Sequence, residues 1–380
     1  MMSALDLGTD VLTRSPVRVP LFDTTRYPTS HVLFVGPDSS GPQVMARNLL
    51  RQSLCADPAL DACVIDPSGS LMAPFGRLVP IAMDTPSAAG WNVCAIEWPA
   101  ADTYLADTRE LLLGRKLAFL ELLLDLVIRP RRPTGLTASE RRLVNGVLRR
   151  VYAARGITDD PCSVWNDDGA SLKEMPTLRD VAAGLAVEPA LRAIAAALQP
   201  YCTGGPVAFG DGPQRPSALA GRVCAFTIGA LPMPHRVVAH LMLGELIHQR
   251  AAASGRRTVL VVDEAELAFA QEPVAVWYTR LLQESRRREL SVWLLARSWS
   301  SLATAHRAHE FLACMSPIWL GGTRDDGERR VLVQRFALSR DEQIVVSQNR
   351  PLMGLWLGTD FRAMTRMPDG AMPWDQPPDC

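Results

Sequence analysis

Residues 32–43 read Val-Leu-Phe-Val-Gly-Pro-Asp-Ser-Ser-Gly-Pro-Gln, an apolar run followed by two spaced glycines. A loop that cradles phosphate has the pattern G-x-x-x-x-G-K-[ST], placed between a buried strand and a helix. Gly36 and Gly41 occupy the two glycine positions, with Pro37, Asp38, Ser39 and Ser40 as the backbone between them. Pro42 stands where a lysine would meet the β- and γ-phosphates, and Gln43 where a hydroxyl would hold Mg²⁺. Such a loop grips its anion with backbone N–H groups and the helix dipole, and proline removes one donor together with the charge. No other lysine can step in. The chain has two, Lys116 and Lys173, far from the loop in sequence. Arg47 and Arg51 run along the following helix, and a guanidinium does not replace a compact ammonium. ATP and Mg²⁺ are the cofactors that the frame suits, with binding expected to be weak or lost.

The partner chemistry lies some 220 residues further on, in Val259-Leu260-Val261-Val262-Asp263-Glu264-Ala265. An apolar strand ending in Asp-Glu describes a Walker B element. Asp263 would hold the Mg²⁺ shell as metal ligand, and Glu264 would polarise an attacking water. Asp66 closes another strand, in Val64-Ile65-Asp66-Pro67-Ser68-Gly69. A carboxylate there can face the ligand crevice of a parallel sheet or simply close an Asp-Pro-Ser-Gly turn, and the sequence leaves both open. Arg280, Arg286, Arg287 and Arg288 end a helical stretch. An arginine there could reach a neighbour's γ-phosphate or a nucleic acid, or could be a cation at a helix C-terminus. Ser298 follows Leu294-Leu295-Ala296-Arg297, where motor ATPases often carry a Gln or Asn that senses the γ-phosphate. The six histidines and eight cysteines show no metal-ligand spacing, and the cysteines read as reduced thiols.

Several apolar runs must position these groups. Val32–Val35, Ala62–Ile65, Val223–Ile228, Val259–Val262 and Val292–Ala296 suit strands buried on both faces. Ile318–Leu320, Leu352–Trp356 and Ala363–Met364 read as further strands. Helical patterns at Met45–Leu54, Arg236–Ala253 and Val274–Arg288 alternate with them, which argues a doubly wound α/β domain with Val32–Val35 and Val259–Val262 as neighbours. Residues 103–200 break the alternation. Leu105–Ile128, Thr137–Arg155, Leu178–Leu185 and Glu188–Leu198 read as helices, and Thr137 with Glu140 fits a capping box. The expected organisation is an N-terminal arm (1–30), an α/β domain (31–102 and 201–367), an all-helical insertion (103–200) and a disordered tail (368–380). The chain is 380 residues long and 48% hydrophobic, enough for a large core. Forty acidic and forty basic residues balance, so no global charge marks it for DNA or membrane. Leu117–Ile128 is the longest apolar stretch, too short to span a bilayer and interrupted by Glu121 and Asp125. A cytoplasmic location follows as the expectation.

These elements, in this order, resemble the ATPase domain of the TraC-like conjugation and type IV secretion ATPases, in the HerA/FtsK branch of P-loop NTPases. Beyond the loop, Val64–Leu71 resembles the family's Asp-containing second strand, and Trp91-Asn92-Val93 its short turn. Leu136–Asn145 is similar to the start of a helix in the family's inserted subdomain, and Leu198–Gly212 to its return to the sheet. Val259–Ala265 matches Walker B, Glu284–Ser298 the arginine helix and sensor, and Leu338–Val346 with Pro351–Leu357 the closing elements. The resemblance covers roughly Val32 to Arg366. It implies a RecA-like P-loop NTPase fold, mostly parallel with helices on both faces, and a role in DNA or protein transfer. Family members usually carry a further large N-terminal domain where this chain has residues 1–30. The departures fall at Pro42, Gln43 and Ser298. A pseudo-ATPase is the expected outcome, acting as partner subunit in a homo- or hetero-oligomer with an active homologue or channel proteins at the inner face of the membrane. An active motor with an atypical loop is the alternative, and a DNA-binding structural module a weaker one.

Overall fold

The computed structural model describes residues 4–23, 30–71, 78–81, 90–97, 112–213, 215, 221–285 and 289–367. It divides into two compact units. The first comprises Met1–Val79, Arg222–Thr227 and Arg256–Cys380, and the second Pro80–Gly221 and Ile228–Gly255.

One sheet organises the first unit. Its strands are β1 (Leu5–Asp10), β2 (Pro16–Val19), β3 (Val32–Val35), β4 (Asp61–Ile65), β5 (Leu78–Pro80), β6 (Val223–Thr227), β7 (Thr258–Val262), β8 (Leu290–Ala296), β9 (Ile318–Gly321), β10 (Met353–Leu357) and β11 (Arg362–Arg366). They lie in the order β2-β1-β11-β10-β9-β3-β8-β7-β4-β6-β5. From β9 to β6 the pairs are parallel, and from β9 outward to β2 they are antiparallel. The helices are α1 (Pro42–Ala56), α2 (Leu112–Ile128), α3 (Ala138–Ala153), α4 (Leu178–Val187), α5 (Arg192–Leu198) and α6 (Met233–Ser254). Then come α7 (Ala265–Phe269), α8 (Glu272–Glu284), α9 (Trp299–Ala303), α10 (Ala308–Leu312), α11 (Asp326–Phe336) and α12 (Arg340–Ser347). This is the RecA-like, mostly parallel architecture expected from the alternating pattern.

The central strands are apolar on both faces because both are covered. Val32 and Phe34 belong to a core with Met45, Leu49 and Leu50 of α1, while Leu33 and Val35, which alternate to the other face, are equally buried. Phe34 sits 6.0 Å from Trp293 and 5.9 Å from Trp356, ring centre to ring centre. Burying side chains of this size stabilises by about 1.5–3 kcal/mol each. That core fixes β3 and α1, and so the loop between them.

Two expectations need correction. β3 and β7 are not neighbours: β8 lies between them and pairs with both. Parallel order is set by crossover connections, which hydrophobic runs do not encode. Residues 5–19 are no extended arm either. β1 and β2 form an antiparallel hairpin on β11, with Leu5, Leu7 and Val19 in the core. Pro16 opens the edge strand, where its missing N–H breaks no ladder bond. Gly8, at φ +106°, marks a register shift; a Cβ there would stand 2.8 Å from the Arg366 carbonyl.

In the second unit, α3 starts at the anticipated capping box of Thr137 and Glu140. The polar residues of the long apolar stretch also find partners: Glu121 pairs with Arg141, and Asp125 with Arg129 and Arg141. The expected helix start at Leu105 and the tail from Pro368 lie outside the described residues. Among the described residues no helix is long and apolar enough to cross a membrane.

Candidate functional site: the glycine-framed loop and the acidic strand end

The loop leaves β3 at Gly36, whose N–H donates to the Ala296 carbonyl at the end of β8. A single helical turn over Asp38–Ser40 follows, and Gly41, at φ 85°, opens α1 in the left-handed region that favours glycine. Pro42 takes the first helical position, where its fixed φ fits and no helix bond is lost. Proline is therefore a good helix starter here, though it brings neither charge nor donor.

The loop's own polar groups turn inward. The Ser40 N–H and hydroxyl both donate to the Pro37 carbonyl, each at 2.8 Å, and the Gly41 N–H donates to the Asp38 carbonyl at 3.1 Å. The Ser40 carbonyl accepts from the Leu352 N–H, and Ser39 bonds to the Asn349 side chain. Gln43 directs its amide nitrogen to Asp38, 3.2 Å away. No side chain caps α1, so the first-turn amides and the helix dipole are what remains of an anion cradle.

On the other side, Asp263 directly follows β7 and is 5% exposed. Its carboxylate accepts the Glu264 N–H at 2.9 Å. Burial pushes the Asp263 carboxyl up to about 7; Asp66, Glu264 and Glu266 add to this, and the bond from Glu264 opposes it. Glu264 adopts a left-handed backbone at φ 52°, sparsely populated for a side chain of its kind and a form of strain that clusters at functional sites. Burial also raises the Glu266 carboxyl.

Arg297 joins the two sides. Its Nη2 lies 3.1 Å from Glu264 Oε1 and its Nε 3.6 Å from Asp38 Oδ1. Its backbone N–H donates to Glu266 Oε1 at 3.3 Å. Arg297, and not its neighbour Ser298, is the residue of this segment that reaches both sides. The available signal was its place just past the tip of a parallel strand, where ligand-facing groups collect.

Asp66 and Ser298 are engaged differently. Asp66 is fully buried, and its oxygens accept from the Gly69 and Leu71 N–H groups at 2.9 and 2.8 Å and from the Ser68 hydroxyl at 3.1 Å. That is the turn-closing arrangement. The Ser298 hydroxyl caps α9 by accepting from Ser301 N–H at 3.1 Å. Arg286, Arg287 and Arg288 lie outside the described residues. Arg280 is exposed on α8.

The residues present fit a Mg-nucleotide on one side only. Asp263 and Glu264 are carboxylates of the right kind at the strand tip. The phosphate side has a proline, an amide turned onto Asp38, and two N–H groups bonded within the loop. Among the described residues, no group of three or more His, Cys, Asp or Glu is arranged to hold a metal ion.

No family model matches the sequence, and no curated protein does. Solved structures match across nearly its whole length. VirB4 of Thermoanaerobacter pseudethanolicus superposes with a TM-score of 0.75 at 16% identity, over 98% of each chain. The bacterial conjugative coupling protein TrwB, in an unbound form lacking its N-terminal segment, gives 0.55 at 16% identity, over 90% of this chain and 87% of that one. TrwB in complex with ADP and Mg²⁺ gives 0.56 at 16% identity, over 91% and 87%. The chain has the RecA-like fold shared by VirB4 and the conjugative coupling protein TrwB.

Proposed function

We propose that this chain is a RecA-like component of a conjugation or type IV secretion machine that moves DNA or protein. In this reading ATP hydrolysis is lost or weakened, and the chain acts as a partner subunit of an active relative. The observation that carries the reading is the one-sided site. The acidic strand end keeps Asp263 and Glu264, while Ser40 and Gly41 direct their N–H groups and Gln43 its side-chain amide inside the loop, and Pro42 has no donor. A missing charge-assisted contact forfeits about 1.5–3 kcal/mol of ground-state binding. The transition state loses more, since charged clamps around the transferring group carry much of the catalysis.

Calorimetric titration with ATP, with and without Mg²⁺, tests it alongside a turnover assay. Weak or absent heat and background turnover are expected. Tight Mg-ATP binding with turnover abolished by Glu264→Gln would establish the other reading, an active motor with an atypical loop. The uncapped start of α1 and the intact Asp263–Glu264 pair favour that alternative.

A further inference from the structure

We infer that Arg297 keeps the nucleotide corner closed, its guanidinium standing between loop and acidic strand end where a phosphate-bound cation would otherwise bridge them. This rests on the reading that the phosphate contacts are lost, and it names what fills the space they left.

The geometry is specific to one side chain. Arg297 reaches the residue after Asp263 through Nη2, at 3.1 Å, and the loop between the two glycines through Nε, at 3.6 Å. Its backbone N–H holds Glu266. Gln43, at the position of the metal-binding hydroxyl, donates to the same Asp38 oxygen that Arg297 approaches. Loop, helix start and strand tip thus share one small polar network with a cation at its centre.

Charge explains why the arginine would stay. Asp38, Asp263, Glu264 and Glu266 converge here, and the nearest stretch of chain offers no lysine. A guanidinium serves two carboxylates at once, which a point charge on a flexible stem does less well. A divalent cation entering the corner meets like charge. A phosphate would be drawn to Arg297, but only by taking it from Asp38 and Glu264. The side chains of Arg297 and Asp38 are 59% and 61% exposed, so neither pair is strong alone. Occupancy of the corner, more than bond strength, is what excludes a ligand.

The test uses the full chain with a rebuilt loop, Pro42→Lys with Gln43→Thr, with and without Arg297→Gln, titrated with Mg-ADP by calorimetry. Adding Arg297→Gln should tighten binding about tenfold, equivalent to about 1.4 kcal/mol. In the chain with its own loop, Arg297→Gln should also speed hydrogen exchange of the amides of residues 38–41 and 43. Equal or weaker Mg-ADP binding on removing the arginine overturns the inference. Unchanged exchange overturns it even where the rebuilt loop binds nothing. Both results leave the loss of phosphate contacts standing. Tight Mg-ADP binding by the unaltered chain, abolished by Arg297→Gln, would overturn both readings and make Arg297 a phosphate clamp.

Discussion

Asp66 and Arg297 show opposite relations between residue type and role. Asp66 has the type and position of a ligand-facing carboxylate, yet its two oxygens are taken by Ser68, Gly69 and Leu71. Its alternatives, crevice or turn, could not be separated without knowing where those N–H groups point. Arg297 belongs to no motif in the sequence, yet it touches both sides of the site. For Asp66 the expected consequence is mechanical. Asp66→Ala leaves the buried Leu71 N–H without its acceptor and the Gly69 N–H with only the Asp66 backbone carbonyl, 3.2 Å away, and should cost about 1–3 kcal/mol, the range for an unsatisfied buried donor. Urea denaturation of the two chains checks this. A loss below about 0.5 kcal/mol, typical of a surface change, would mean that the turn does not depend on the carboxylate.

At the scale of elements, the legible parts were those set by local pattern. Buried strands next to the loop, the capping box at Thr137 and the closing strand pair all follow from runs and caps a few residues long. What was not legible depends on distant pairings: β8 inserted between β3 and β7, and a hairpin hidden among prolines at the N-terminus. His31 is such a pairing. It precedes β3, accepts the Val292 N–H of β8 on Nδ1 at 2.9 Å, and presents Nε2 to the Leu282 carbonyl of α8 at 3.1 Å and to the Ser285 hydroxyl at 2.7 Å. Burial pushes the imidazole down to about 4, against a smaller raising effect of the Leu282 carbonyl. The unfolded chain therefore binds a proton first on acidification, so this stability is full above about pH 6.5 and falls as pH drops towards 4. Between pH 7.5 and 5 the loss is about 2 kcal/mol. His240, also pushed down to about 4 by burial and then Arg236, acts in the same direction, and Asp263, raised to about 7, in the opposite one. The comparison must therefore be differential: His31→Gln should be less stable at pH 7.5 but lose about 2 kcal/mol less than the unaltered chain on going to pH 5. Parallel pH profiles would show that His31 does not tie these elements together. In the helical unit the equivalent long-range tie is Lys116, 2.6 Å from Glu245 and 2.8 Å from the Val93 carbonyl, with both side chains buried. Burial alone would raise the Glu245 carboxyl, but Lys116 and then His248 hold it well below the usual carboxylate range. Lys116→Met leaves that buried charge without its lysine, with the Gln249 amide at 2.8 Å and His248 at 3.8 Å still beside it, and should cost about 3 kcal/mol, whereas Lys116→Met with Glu245→Leu should recover most of the loss. Urea midpoints of the single and double variants check this, and equal midpoints would remove the pair from the account.

For the whole molecule, the neutral balance of forty acidic and forty basic residues gives no long-range field to gather a charged substrate. Recognition must then come through surfaces and partners, which suits a RecA-like chain whose phosphate side is short of donors. A fold of this kind that keeps its strand-end carboxylates without the loop chemistry makes most physical sense beside a subunit that retains both. The expected outcome is that this chain co-purifies with an intact P-loop relative, one carrying lysine and threonine where Pro42 and Gln43 stand here. Mixing the two should change the relative's ATP turnover. Arg286, Arg287 and Arg288 end the segment that leads from α8 to β8, the strand whose tip carries Arg297. Alanine at those three positions should cancel the change in turnover while leaving the chain's own urea midpoint unchanged. Cancellation without loss of stability would identify these arginines as groups acting on the neighbour's nucleotide. A chain that stays monomeric beside the intact relative, with turnover untouched at micromolar concentrations of both, would remove the partner role and leave a stand-alone one.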